Sequence, residues 1–133
     1  MATEFDDREF PLLRLRAIGE SRDADIEDRL AFVARHLLKG SRVALVFDTS
    51  RSRPLSARQR RMWTDWLRAH DALIRKNVAG VAIVVTSTLI RGVFTGVFWV
   101  WQPPMPYTFT SNVRDADAWA RAQLAEPTRR PVP

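Results

Sequence analysis

Between Arg51 and Arg61 the chain sets five arginines around a serine, in the run Arg51-Ser52-Arg53-Pro54-Leu55-Ser56-Ala57-Arg58-Gln59-Arg60-Arg61. Guanidinium groups at this density do one kind of chemistry: they hold anions, because each presents a fork of donors that matches a carboxylate or phosphate. Ser56-Ala57-Arg58-Gln59 also fits a capping box, in which the serine oxygen accepts from the Gln59 amide and Gln59 reaches back. The cap alone is reason enough for a serine. A phosphate on Ser56 would meet the same free amides of the helix start, so the cap and a regulatory or anion site are compatible.

Arg58, Arg60 and Arg61 fall in the first turns of that helix, where positive charge opposes the dipole by about 0.3–1 kcal/mol each if exposed. Either solvent screens them or they await an anion: a phosphate, an acidic partner or nucleic acid. Asp48 can neutralise one of them. Ligands of open α/β sheets lie outside the carboxyl ends of the strands. That edge supplies Asp48, Ser50, Arg51, Arg53, Ser56, Arg58, Arg61, Ser87 and Thr88 as the candidate binding set, with Ser56 as the candidate phosphosite.

Catalysis finds little to use. His36 and His70 lie on helices without a carboxylate at catalytic spacing, and Asp71 beside His70 points another way round the helix. There is no nucleophile elbow, P-loop or dinucleotide fingerprint. The absence of cysteine removes thiol chemistry, disulfides and cysteine-held metals, and fits a reducing cytoplasm. No metal-ligand spacing and no cofactor motif is present, so the expectation is a non-enzyme with no cofactor. Nucleic acid is not the expected partner, because helix-turn-helix, zinc and strand-borne aromatic patterns are all missing. The formal charge of +6 permits nucleic acid, acidic lipid or an acidic protein without choosing among them.

The elements that must position these residues follow from periodicity. Residues 1–9 read as a loose segment. Phe10 to Gly19 alternates from Leu13 onward as a strand with one wet face, expected at a sheet edge because Pro11 is tolerated there. Ser21 to Leu38 is a helix with Ile26, Leu30, Val33 and Leu37 as its buried stripe. Val43–Phe47 and Val81–Val85 are unbroken apolar runs, the mark of strands buried on both faces. A helix opening at Leu55 or Ser56 carries Met62, Trp66, Ala69 and Leu73 inward to about Arg75. Leu89 to Val100 is a third helix, Tyr107–Thr110 a short strand, and Asn112–Leu124 a last helix. The reading is one domain, 10–125, of the α/β class: a mostly parallel four-stranded sheet in β-α-β-α-β-α-β-α order with helices packed against it. Residues 126–133 form a basic, proline-rich tail.

The third helix is apolar almost all round, so it should be buried on all sides. Gly92 and Gly96 give it a small-xxx-small spacing that would let it approach its sheet closely. With Phe98, Trp99 and Trp101 it carries more apolar surface than a small sheet covers. The surplus predicts a homodimer or partner interface over Gly92, Gly96, Phe98, Trp99 and Trp101; an apolar molecule between helix and sheet is another use for it. Val78–Trp101 is interrupted by Thr86-Ser87-Thr88 and Arg91, so no membrane span is expected and the protein reads as soluble and cytoplasmic.

This order of elements resembles the STAS-like superfamily, which includes bacterial anti-sigma-factor antagonists. The resemblance covers about Phe10 to Leu124. It rests on the strand ending Phe47-Asp48-Thr49-Ser50, on the helix-opening Ser56, and on Phe109-Thr110, Asp115-Ala116 and Trp119. It implies a non-enzymatic regulatory domain that binds a protein partner and is sometimes switched by phosphorylation. In the antagonists the modified serine opens the helix after the second buried strand, usually as Asp-Ser-Ser-Gly-Leu. Here that region reads Pro54-Leu55-Ser56-Ala57-Arg58, so Ser56 takes the position without the glycine.

Overall fold

The computed structural model describes residues 3–126. Along the chain run β1 (Thr3–Asp6), β2 (Leu12–Gly19), α1 (Asp23–Leu38), β3 (Val43–Ser52), α2 (Ala57–Ala69), α3 (Asp71–Asn77), β4 (Val78–Val84), α4 (Thr88–Val100), β5 (Tyr107–Thr110) and α5 (Val113–Ala125). The sheet order is β1-β2-β3-β4-β5, with β1 antiparallel to β2 and every other pair parallel. The α/β class and the parallel sheet are as expected from the sequence; the strand count is five, not four.

The extra strand comes from the segment expected to be loose. Thr3-Glu4-Phe5-Asp6 pairs with the free side of β2, so β2 is not an edge strand, and Pro11 lies just ahead of it. β1 is held from within. The Arg29 side chain, 1% exposed, donates from Nε to Thr3 Oγ1 at 2.8 Å and from Nη2 to Ser21 Oγ at 2.7 Å, while Phe5 stacks on Phe32 at 4.9 Å. Burial penalises the Arg29 cation and draws its pKa below the usual value.

Parallel register lines up residues by face. Leu13, Leu45, Val81 and Tyr107 form one row, and Leu15, Phe47, Ile83 and Phe109 the next, both on the side of α1–α4. On the other side Leu12, Ala44, Val46, Ala82 and Val84 meet α5 through Ala116 and Ala120. That contact is close: a Cβ on Gly80 would lie 2.9 Å from Gln123 Cγ and 3.0 Å from the Trp119 ring. Only glycine fits at that distance. Arg14 fastens the same side, with Nη2 2.8 Å from Asp117 Oδ2.

The α1 stripe of Ile26, Leu30, Val33 and Leu37 is buried as its spacing predicts. The second helix departs from expectation. It breaks at His70, whose ring stacks on Trp66 at 4.3 Å with Nδ1 2.9 Å from the Trp66 carbonyl, and α3 restarts at Asp71. α2 turns Trp63, Trp66 and Leu67 inward and leaves Ala69 exposed.

α4 is not buried on all sides. Within it only Ile90 is buried, while Trp99 is 86% exposed and Leu89 66%. Gly92 and Gly96 face open space and do not bring the helix close to the sheet. Trp101 is buried, with Nε1 donating to Asp71 Oδ1 at 2.9 Å; it pins the end of α4 to the start of α3 and is withdrawn from any interface. No helix is long and apolar enough to cross a membrane among the described residues.

Candidate functional site

The parallel strands β3 and β4 end on the same edge of the sheet, and the rim predicted from the sequence is built there. β3 runs further than its apolar core, because β2 stays beside it as far as the Gly19–Ser52 pair. Asp48 and Thr49 are therefore strand residues, and both are buried. Thr49 Oγ1 donates to the Val84 carbonyl at 2.7 Å, tying β3 to the end of β4.

Asp48 does not neutralise a rim arginine. Its Oδ1 accepts from the Ser50 amide at 2.9 Å and from Ser50 Oγ at 2.6 Å, and its Oδ2 lies 3.4 Å from Arg16 Nε. Ser50 is engaged in the same knot. These two candidates are engaged with each other and hold the strand end in shape.

Ser56 is the N-cap of α2, and the capping box is present in full. Gln59 N donates to Ser56 Oγ at 3.1 Å, and Ser56 N donates to Gln59 Oε1 at 3.1 Å. Gln59 is buried and anchored beyond the box: Nε2 donates to the Ser21 carbonyl at 2.8 Å and to Asp23 Oδ1 at 3.2 Å. Arg58 Nε lies 3.0 Å from Asp23 Oδ2, so the starts of α1 and α2 are clasped side by side. Arg60 Nη1 donates to the Leu55 carbonyl at 2.8 Å and braces the loop before the helix.

Three arginines remain. Arg51, Arg53 and Arg61 are exposed and, among the described residues, no carboxylate pairs with them. α2 has no acidic residue in its first turn, so these cations add to the positive end of its dipole. Ser56 itself is exposed. The site is an exposed capping serine on a helix start, with the unpaired Arg51, Arg53 and Arg61 close to it in sequence and Gln59 anchored behind it. Ser87 is half-buried and caps α4, accepting from the Ile90 amide at 3.3 Å, with Thr88 exposed beside it on the same sheet edge.

Beneath this rim lies the space between helix and sheet for which the sequence allowed an apolar molecule. α2 and α4 cover an apolar cavity of about 130 Å³ against the sheet, with Phe47, Trp63, Ile83 and Phe94 in its wall. The signal available was the load of large aromatics on both helices, more than a small sheet can pack closely. Among the described residues no group of His, Cys, Asp and Glu is arranged to hold a metal ion.

This five-stranded sheet with its helices is the SpoIIAA-like, or STAS-like, fold. No described protein family matches the sequence, and no curated protein matches it. Among solved structures the chain is similar to an uncharacterised protein of the DUF3478 family from Shewanella loihica, with TM-score 0.61 and 21% identity over 90% of this chain and 92% of that one. It is also similar to the anti-sigma factor antagonist SpoIIAA in its unphosphorylated form, with TM-score 0.64 and 15% identity over 92% and 98% of the two chains. The phosphorylated form of the Bacillus cell fate determinant SpoIIAA gives TM-score 0.62 and 14% identity over 89% and 99%. At these identities the likeness is one of fold.

Proposed function

We propose that the protein is a non-enzymatic regulatory module that binds a protein partner through the rim where β3 passes into α2, with Ser56 as its modifiable centre. The observation that carries this reading is the exposed Ser56 at the cationic start of α2, with the unpaired, exposed Arg51, Arg53 and Arg61 within five residues of it along the chain. Support comes from the fold it shares with SpoIIAA, a protein solved with and without phosphate. The unmodified rim attracts an acidic surface. A phosphate on Ser56 would bring a charge of about −1.5 to −2. The first-turn amides and the neighbouring arginines would take it up, and the rim would lose its attraction. Trp63 and Trp66 face inward, so the rim lacks the aromatic platform that single-stranded nucleic acid uses; an acidic protein suits it better.

The test is capture of partners by the tagged full chain from its native lysate after nuclease treatment, beside Arg51→Glu/Arg53→Glu/Arg61→Glu and Ser56→Asp. A stoichiometric protein is expected on the wild type, absent from the triple variant and at least tenfold weaker on Ser56→Asp, with melting temperatures preserved. Equal capture by all three chains overturns the reading. Recovery lost to nuclease, with affinity falling steeply with salt, would turn the rim over to nucleic acid.

The outer face of α4 is the second surface of this reading. Leu89, Trp99 and Val100 stand exposed around the open Gly92 and Gly96, while Phe98 is turned in against Tyr107 at 4.7 Å.

A further inference from the structure

We infer that the cavity beneath α2 and α4 is a binding site for a small neutral apolar molecule, about the size of a single aromatic ring. Size is the first ground. At about 130 Å³ the cavity is close to an engineered one of about 150 Å³, lined by Leu, Ile and Phe, that stays dry and takes up benzene or xenon.

Chemistry is the second ground. The wall is built from Leu45, Phe47, Trp63, Ile83, Phe94 and Phe98, and almost none of its surface is polar. The buried cation that touches it is already engaged, since Arg29 donates to Thr3 and Ser21. Arg60, also in the wall, donates to the Leu55 carbonyl. A water in this space would find too few partners, and a charged guest would lose its hydration without replacement.

The third ground is that the void is local. The opposite side of the same sheet brings Gly80 and Trp119 to the limit of contact, so the chain packs closely where nothing is to be admitted. The rim loop supplies the way in. Of the wall residues Arg53 and Pro54 are exposed, placing the opening between that loop and the helices. α4 is hydrogen-bonded to its neighbours at its C-terminal end, by Trp101 on Asp71, while its middle rests on ring contacts of Phe94 and Phe98. This inference stands on the cavity alone and survives if the rim binds nothing.

Titration of the ¹⁵N-labelled full chain with toluene, and separately with benzoate as a charged molecule of similar ring, tests it. Toluene is expected to shift the amides of Phe47, Ile83, Phe94 and Val97 saturably, with benzoate at least tenfold weaker. Val81→Phe fills the cavity from the sheet and Val97→Phe from α4. Each is expected to keep its melting transition and to lose toluene binding by tenfold or more. Toluene that gives no saturable shift up to its solubility overturns the inference. So do shifts confined to Leu89 and Trp99, or benzoate binding as tightly as toluene. Should a filled variant fail to fold, the wild-type titration and the location of its shifts decide alone.

Discussion

Gly80 and Val81 are neighbours on β4 and face opposite sides of the sheet, α5 pressed against the first and a cavity open before the second. On the α5 side small residues do the work. Ala44, Ala82, Ala116 and Ala120 are fully buried, and their size lets helix and strand backbones come close. On the other side large aromatics stand between the sheet and α2 and α4, at centroid distances such as 5.7 Å for Phe47–Trp63 and 6.1 Å for Phe47–Phe94. Close-packed small residues fix one relation between two elements. Large side chains round a void leave several of similar energy. Both proposed sites, the Ser56 rim and the cavity, lie on the loosely packed side.

The largest expected effect breaks the tight side. Gly80→Val should cost about 2–3 kcal/mol in urea denaturation, because its Cβ has no room beside Gln123 and Trp119. Trp99→Glu acts on the loose side's outer surface: light scattering at micromolar concentration should show a wild-type dimer and a folded monomer for the variant. A wild-type monomer removes α4 as a self-association face. Ser56→Ala should cost about 1 kcal/mol through the lost cap, and Ser56→Asp should be nearly neutral, because Asp also caps. Val81→Ile adds one methylene towards the cavity and should stabilise the chain by less than about 0.8 kcal/mol, opposite in sign to its neighbour. A loss there comparable to that of Gly80→Val would erase the contrast between the faces.

The smallest effect is in acid. The side-chain bond from Arg8 holds the Asp6 carboxyl down at about 2, and the Arg22 backbone amide, 2.7 Å away, lowers that of Asp25. Both carboxyls titrate lower folded than unfolded. Their contribution is complete above about pH 4 and is lost as the pH falls towards 2. Asp6→Asn should flatten that part of the stability profile.

Periodicity made most of the frame legible. The α1 stripe, the dry runs of β3 and β4, and the capping box at Ser56 follow from residue spacing alone, because each depends on local geometry. What escaped depends on partners distant in sequence. Thr3-Glu4-Phe5-Asp6 alternates over too few residues to mark a strand and becomes one because β2 offers a free edge and Arg29 a donor. Asp48, expected to face the rim, is engaged by Arg16 of β2 and by Ser50. The break at His70 has no glycine or proline to announce it. The apolarity of α4 gave no hint of which side would be wet, since Gly92 and Gly96 face outward. Of the tail expected over residues 126–133, all but Glu126 lies outside the described residues.

Native-state hydrogen exchange of the full chain tests most directly the claim that one side of the sheet is fixed and the other adaptable. Amides of α5 and β4 are expected to exchange only through global unfolding, and those of α4 and the start of α2 through openings of distinctly lower free energy. Equal protection of α4 and α5, or earlier exchange of α5, would contradict it.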